Sequence, residues 1–237
     1  HVLWDAVRTG GSNKAIAPNT NGAEGAPNSA AYGYLNAFTS DGYSLGEGSS
    51  NDSYVNTTGT DYVSWNWKAG TTTGIDATGA DITPTGYSFN QTSGFSIIDF
   101  EGTGTQPVTF PHGLGAVPEM VILKSIDNAT DWTVYHHNMT STGNANTRAV
   151  ELNTSGAQAS VNYWKDTSPT SVLVTLGNDA QVNPTSTMIA YCFTPIQGFS
   201  KFGTYTGNGN VDGPFVYTGF RPAFLVTKDV STGLGNW

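Results

Sequence analysis

The chain has 237 residues, of which 37% are hydrophobic and 11% are charged. This length suits one large or two small β domains, and the apolar content excludes global disorder. The formal net charge is -9, with only 9 Lys and Arg residues. Such a chain has few cations for phosphate contacts, so we expect no nucleic-acid partner. It has no run of about 20 apolar residues, so we expect no membrane insertion.

Short runs of β-branched and aromatic residues, separated by Gly, Pro, Asn and Asp, dominate the sequence, and helical periodicity is nearly absent. They predict strands at residues 62–67, 95–100, 120–123, 171–176, 187–193 and 223–226. The Gly-, Asn- and Ser-rich stretches near 10–30 and 69–90 predict loops. Many short strands with frequent turns are typical of a β-sandwich or jelly roll. We therefore expect an all-β fold.

One half of a repeat occurs twice. Gly94-Phe95-Ser96 reappears at 198–200, and the Gly-rich turn at 100–104 reappears at 205–209. Residues 117–124 match 221–228, and in both copies a tryptophan follows. Agreement at several points makes chance an inadequate explanation. The corresponding pairs are Pro118 with Pro222, Lys124 with Lys228 (both 104 residues apart), and Trp132 with Trp237.

The other half of the repeat also occurs twice. It is seen where residues 14–23 match 148–157, where 40–46 match 171–177, and where 62–67 match 188–193. By this order, residues 94–197 hold one complete unit, residues 1–93 the second half of a unit, and residues 198–237 the first half of another. Joining Trp237 to His1 would complete a second unit.

The repeat order predicts two similar sandwich-like or jelly-roll-like repeats, one of them completed across a segment or subunit boundary. A half-unit of about 40 residues buries little apolar surface alone, so its strand edges need cover. Residues 1–93 of the same chain or a neighbouring subunit would provide that cover. A tandem array or filament is therefore expected, and a segment cut within a repeat is the alternative.

Several motifs resemble a repeat common in structural and fibre proteins of aquatic bacteriophages. They are the segments 4–8, 38–46, 62–69, 191–193, 198–209 and 212–223. Residues 112–118 are similar to a turn-strand motif of phage tail and fibre modules. The resemblance covers most of the chain outside residues 70–92. It implies a lectin-like β-sandwich on the outside of a virion or in a filament, although the family is itself largely uncharacterised. This chain departs from the repeat in register, because it starts and ends within a unit.

The sequence offers no clear catalytic constellation, so we expect a protein that is not an enzyme. Glutamates are scattered, one to a segment, at Glu24, Glu47, Glu101, Glu119 and Glu151. Catalysis needs a nucleophile or paired acids with orienting groups. Two carboxylates facing a glycosidic bond remain the alternative.

Metal and cofactor sites are also not expected. The histidines His112, His136 and His137 have no recognisable ligand spacing. Oxygen-rich turns that could hold Ca²⁺ occur at Asp127, Asn128 and Asp131, and at Asp41, Glu47 and Asp52. Ordinary solvated turns explain both groups as well. The single cysteine, Cys192, lies in an apolar run and is expected to be a buried thiol.

Tryptophans are the candidate glycan contacts, because sugar faces pack on aromatic rings. The candidates are Trp65, Trp67 and Trp164, and core packing is the alternative for each. Trp65 and Trp67 are two residues apart, so both would face the same side of a strand. Sequons for N-glycosylation begin at Asn51, Asn56, Asn90, Asn128, Asn138 and Asn153, a number close to chance.

Two functional hypotheses result. The first is a structural repeat module of an extracellular fibre, filament or virion appendage, which self-associates or forms a homo-oligomer. The second is a carbohydrate-binding adhesin module that recognises host-surface glycans. Both place the protein outside the cell or on the surface of a virion.

Overall fold

A computed structural model describes residues 1–8, 10–139 and 144–233. These ranges contain one short helix, one 3₁₀ turn at Ala145–Thr147 and eleven strands. The elements are α1 (Ser29–Tyr32), β1 (Tyr34–Phe38), β2 (Tyr43–Gly46), β3 (Gly86–Asn90), β4 (Phe95–Glu101), β5 (Val108–Pro111), β6 (Met120–Ser125), β7 (Thr133–His136), β8 (Arg148–Glu151), β9 (Ala159–Ser160), β10 (Leu173–Leu176) and β11 (Thr187–Phe193). No described helix is long and apolar enough to cross a membrane. The prediction of an all-β fold is confirmed.

The main sheet has seven antiparallel strands in the order β3-β4-β11-β6-β7-β8-β9. Strand β11 lies between β4 and β6, so that Tyr191 pairs with Ile97 on one side and Ile122 on the other. Both faces of β11 are covered, and its side chains from Met188 to Cys192 are buried. Burial on both faces is why this strand is a continuous apolar run rather than an alternating one.

One face of the main sheet packs against a second, two-stranded sheet formed by β5 and β10. Phe100 of β4 stacks on Phe110 of β5 with ring centroids 4.8 Å apart. Trp164 lies in the same core, where its ring meets the edge of Tyr135 at 5.4 Å. The two layers form the β-sandwich, and its core contains side chains of the unit 94–197.

The other face of the main sheet is covered by the N-terminal segment. Ile16, with Leu3 and Val7, packs on the apolar side chains of β4 and β11. The indole Nε1 of Trp132 donates to the carbonyls of Ala17 and Thr20 at 3.0 and 3.1 Å. The N-terminal half-unit is therefore docked on the complete unit rather than folded separately.

A buried ion pair fastens this segment to β11. Arg8 Nε donates to Asp5 Oδ2 at 2.7 Å, and Arg8 Nη1 donates to Glu24 Oε1 at 2.9 Å. The hydroxyl of Tyr191 donates to Asp5 Oδ2 at 2.8 Å. Burial, reinforced by the charge of Asp5, raises the pKa of Tyr191 well above its usual value. The hydroxyl therefore stays protonated and available as a donor.

Strands form only where a partner is available. The predicted strands at 95–100, 120–123, 171–176 and 187–193 are confirmed as β4, β6, β10 and β11. Part of the predicted loop 69–90 is instead strand β3, which pairs with β4. The predicted strands at 62–67 and 223–226 are wrong for the described chain, since neither segment is in a strand there. The described residues thus contain one sandwich, and the flanking half-units do not form a second.

We predict that Asp5→Asn lowers the free energy of unfolding by about 3 kcal/mol, because it removes the nearest counter-charge of a buried guanidinium. Urea unfolding measures this change. The matched control is Asp41→Asn in an exposed turn, for which a change within about 0.5 kcal/mol is expected. A loss equal to that of the control would show that the ion pair does not hold the segment.

We also predict that acid destabilises the fold through His112. Its Nδ1 accepts the Leu114 N–H at 3.2 Å, and Nε2 lies 3.1 Å from the Thr170 carbonyl, so Nε2 carries the proton. Burial lowers the pKa of His112 to about 4 from 6.5. Neutral His112 therefore stabilises the fold fully above pH 6.5, and this contribution is lost as the pH falls towards 4. The loss is about 2–3 kcal/mol.

The measurement is the free energy of unfolding as a function of pH. His112→Asn should flatten the profile over this range, whereas the exposed control His1→Asn should leave it unchanged. Burial lowers the pKa of His136 to about 4 as well, so part of the slope should persist in His112→Asn. An unchanged slope in His112→Asn would contradict the assignment.

Candidate assembly surface

The segment 62–67 is exposed although it corresponds to the central strand of the sandwich. Residues 62–67 match 188–193 of β11 in sequence. Val63 is 80% exposed, and Trp65 and Trp67 are 62% and 52% exposed. Their counterparts in β11, from Ile189 to Phe193, lie inside the main sheet. A strand-like sequence is therefore present without strand partners.

The segment 198–233 has the same property. It corresponds in sequence to β4, β5 and β6, yet its residues are in no strand in the described range. Large apolar side chains face solvent along it, including Phe215 at 89% and Leu225 at 75% exposure. Scattered exposed apolar residues are normal, but a long run of them marks an interaction surface. We call the segments 62–67 and 198–233 together the open half-units.

The open half-units lie near each other. The rings of Trp65 and Phe224 are 6.4 Å apart. Described backbone–backbone hydrogen bonds do not join the two segments. Proximity without pairing leaves the backbone groups of both segments available to other strands.

A first junction connects the N-terminal half-unit to the complete unit. The backbone N–H of Glu24 donates to the carbonyl of Ile126 at 2.8 Å. Ile16 and Ile126 pack in one apolar cluster next to it. This contact holds the second half of one unit against the first half of the next.

A second junction connects the complete unit to the C-terminal half-unit. The backbone N–H of Gln158 donates to the carbonyl of Val230 at 3.0 Å. Val150 and Val230 pack in one apolar cluster next to it. The nearby Lys228 Nζ donates to the carbonyl of Ser155 at 2.9 Å.

The two junctions are equivalent in the repeat. Glu24 corresponds to Gln158, one residue beyond the matching segments 14–23 and 148–157. Ile126 corresponds to Val230, at the same spacing of 104 that relates Pro118 to Pro222. The same hydrogen bond and the same apolar contact therefore occur at both junctions of the complete unit.

The local turn before each junction repeats as well. Gly25 N–H donates to the Ala15 carbonyl at 3.0 Å, and the corresponding residues Ala159 and Ala149 pair where β8 meets β9. The second half of each of these two units therefore carries the same docking element.

Aromatic rings also lie where neighbouring units meet. Trp67, the last residue of its strand-like segment, has its ring 6.5 Å from that of Phe95 at the start of the complete unit. Phe193, the counterpart of Trp67, has its ring 6.1 Å from that of Phe202 near the start of the C-terminal half-unit. Aromatic rings therefore lie at both contacts, but with different partners, since the sequence counterpart of Phe95 is Phe199 rather than Phe202.

The structure separates the candidate glycan contacts. Trp65 and Trp67 are exposed, whereas Trp164 is only 1% exposed and its Nε1 donates to the Arg148 carbonyl at 2.8 Å. Trp164 is therefore a core residue, and its ring is out of reach of a sugar. The expected meeting of Trp237 with His1 lies outside the described residues, which end at 233.

The sequon asparagines differ in surroundings. Asn51 and Asn56 are exposed, and Asn90 is half-buried with Oδ1 accepting two backbone N–H groups. Asn128 and Asn153 use their side-chain amides to bind Ser186 and Asp131, at 2.7 Å in each case. The sequon at Asn138 extends to Thr140, which lies outside the described residues. Asn51 Oδ1 also accepts a backbone N–H, from Ser53 at 3.0 Å. A glycan would be attached to the amide nitrogen, and this nitrogen donates hydrogen bonds in Asn128 and Asn153.

Carboxylates of the oxygen-rich turns accept hydrogen bonds from backbone N–H groups. Asp127 Oδ2 accepts the Thr187 N–H at 2.8 Å, and Asp52 Oδ1 accepts the Gly48 N–H at 2.6 Å. Among the described residues, no group of three or more His, Cys, Asp or Glu side chains could hold a metal ion. Burial raises the pKa of the Cys192 thiol to about 12, so this cysteine is unreactive.

Sequence reasoning missed the junction residues Glu24, Ile126, Gln158 and Val230. The signal was present in the two repeat spacings, which relate these residues pairwise. These spacings alone do not predict a contact, because a backbone hydrogen bond between units depends on how the units are placed in space.

The chain belongs to the family described as Domain of unknown function (DUF7483), whose model matches residues 1–237. No curated protein and no solved structure matches the chain at a significant level. The function proposed for this chain therefore rests mainly on its two junctions.

We predict that Val230→Asp opens the second junction. A carboxylate cannot be placed among the apolar side chains of Val150, Val134 and Met139 without a large desolvation cost. Hydrogen exchange should show protection of the Gln158 amide reduced by about tenfold or more, while the melting temperature of the sandwich stays unchanged. The control is Val211→Asp, at a fully exposed position of the same segment. Equal protection in both variants would contradict the junction.

Proposed function

We propose that this chain is a structural, non-catalytic repeat module that self-associates into an extracellular fibre, filament or virion appendage. The observation that carries the proposal is the equivalence of the two junctions. In both, a backbone N–H in the second half of one unit binds a carbonyl in the first half of the next.

Equivalent junctions at both ends favour an open assembly. A contact between two different surfaces builds a ring if the rotation closes and a filament if it does not. Each added unit presents the same free surface as the one before, so growth has no built-in limit. The function of such a module is length, rigidity and the presentation of a surface.

The surface composition supports a location outside the cell or on a virion. Charged residues make up only 11% of the chain, so its solvent-facing residues are largely Thr, Ser, Asn and Gly. The resemblance to fibre repeats of aquatic bacteriophages points in the same direction.

We predict that the sedimentation coefficient of the purified chain rises steadily with concentration, and that electron microscopy of concentrated samples reveals linear particles. Leu225→Asp should abolish this association, because it places a charge in the apolar surface of an open half-unit. Val211→Asp introduces the same charge in a turn and should associate normally. A monomer at all concentrations, or a closed dimer, would contradict the proposal.

The second candidate is a carbohydrate-binding adhesin module for cell-surface glycans. The exposure of Trp65 and Trp67 favours it, since exposed rings two residues apart could stack on adjacent sugars. A glycan array discriminates the two functions. An adhesin would bind specific oligosaccharides and lose binding in Trp65→Ala but not in Tyr205→Ala, an exposed aromatic control elsewhere. A structural module would show no selective binding.

A further inference from the structure

We infer that residues 224–229 of one copy form an antiparallel strand pair with residues 62–67 of a second copy of this chain, with Thr227 opposite Ser64. This inference rests on the proposed function, because it names the partner and the register of the self-association. It completes a second sandwich from two half-units.

The register follows from the complete unit. There, β6 pairs with β11 so that Leu123 lies opposite Ala190 and Ile122 opposite Tyr191. Leu123 corresponds to Thr227 at the spacing of 104, and Ala190 corresponds to Ser64 in the match of 62–67 with 188–193. Transferring both positions places Thr227 opposite Ser64.

The same transfer places the other members of the pair. Val226 lies opposite Trp65, and Phe224 lies opposite Trp67. These four side chains therefore share one face of the new sheet. In the single chain Trp65 already contacts Phe224. In the transferred register these two rings are diagonal neighbours, which antiparallel strands allow.

The segment 62–67 would be a central strand with two partners, as β11 is. Its second neighbour would be the segment near 199–205, the counterpart of β4. Strand β2 gains a partner as well. Its counterpart β10 pairs with β5 so that Val174 lies opposite Phe110. Phe110 corresponds to Phe215 at the spacing of 105 that relates the turn 100–104 to 205–209, so the pair transfers to Tyr43 opposite Phe215. Every observed pair among β4, β5, β6, β10 and β11 thus has a counterpart that joins the two flanks.

The exposed side chains support this completion. Phe215 and Leu225 are mostly exposed in the single chain, while their counterparts Phe110 and Val121 are completely buried. Val63 is 80% exposed, and its counterpart Ile189 is completely buried. The apolar side chains needed for a second core are therefore present and uncovered.

The two junctions favour a second copy as the occupant. The N-terminal half-unit is fastened to the complete unit by the hydrogen bonds from Tyr191 to Asp5 and from Glu24 to Ile126. The C-terminal half-unit is fastened to the same unit by the hydrogen bond from Gln158 to Val230. The apolar cluster beside this bond shares Ile122 and Leu152 with the cluster of the first junction. Because the two contacts are equivalent, the half-units are related as successive members of an array, one before and one after the complete unit. The member that completes the C-terminal half-unit is then the N-terminal half-unit of the next copy.

The test uses disulfide cross-linking between two single-substitution variants of different mass. One carries Thr227→Cys and the other Ser64→Cys, both conservative changes at exposed positions. The native Cys192 is buried and does not compete. Mixing the variants under mild oxidation should give a disulfide-linked heterodimer about tenfold faster than an off-register mixture of Val226→Cys with Ser64→Cys. The heterodimer is identified by mass.

Three results would overturn the inference. A doubly substituted Ser64→Cys, Thr227→Cys chain that closes internally, with no heterodimer on mixing, would place the pairing within one chain. Faster linking by the off-register mixture would contradict the register, and no linking in either mixture would contradict the pairing. If the wild-type chain still forms linear particles in any of these cases, the proposed function stands without this register. If it stays monomeric, the proposed function fails as well.

Discussion

The fold depends on the complete enclosure of β11. Its two edges are filled by β4 and β6, one face is covered by the layer of β5 and β10, and the other by the N-terminal segment. A strand enclosed in this way must be apolar at nearly every position, and the one polar tip, the Tyr191 hydroxyl, needs a partner. Asp5 provides it, so covering the strand and fastening the N-terminal segment are one event.

The need for such enclosure explains why the counterpart segment 62–67 does not form a strand. The segment has the composition of a central strand, but the described backbone hydrogen bonds do not pair it with a neighbouring strand. Its Trp65 and Trp67 therefore face solvent. Strand pairing requires a partner with matching edges, and the matching edge is carried by residues 199–229.

Assembly and glycan binding would use the same rings. In the proposed fibre, pairing of 62–67 with the next copy covers Trp65 and Trp67 in all units except the terminal one. A glycan contact would then be restricted to one end of the fibre. The buried ion pair between Asp5 and Arg8 fixes the geometry of the N-terminal segment next to the first junction.

The sequence alone determined the all-β class, four of the strands of the sandwich and the order of the repeat, because alternation, turn residues and internal matches are local patterns. It also identified Trp65 and Trp67 as candidate surface residues. Only the tertiary structure decided that Trp164 is in the core, that β3 joins the sheet, that 62–67 and 223–226 lack partners, and that Glu24 and Gln158 make equivalent contacts. These outcomes depend on which segments meet in space. A segment with a strand-like sequence forms a strand only when its hydrogen-bonding partner is in place.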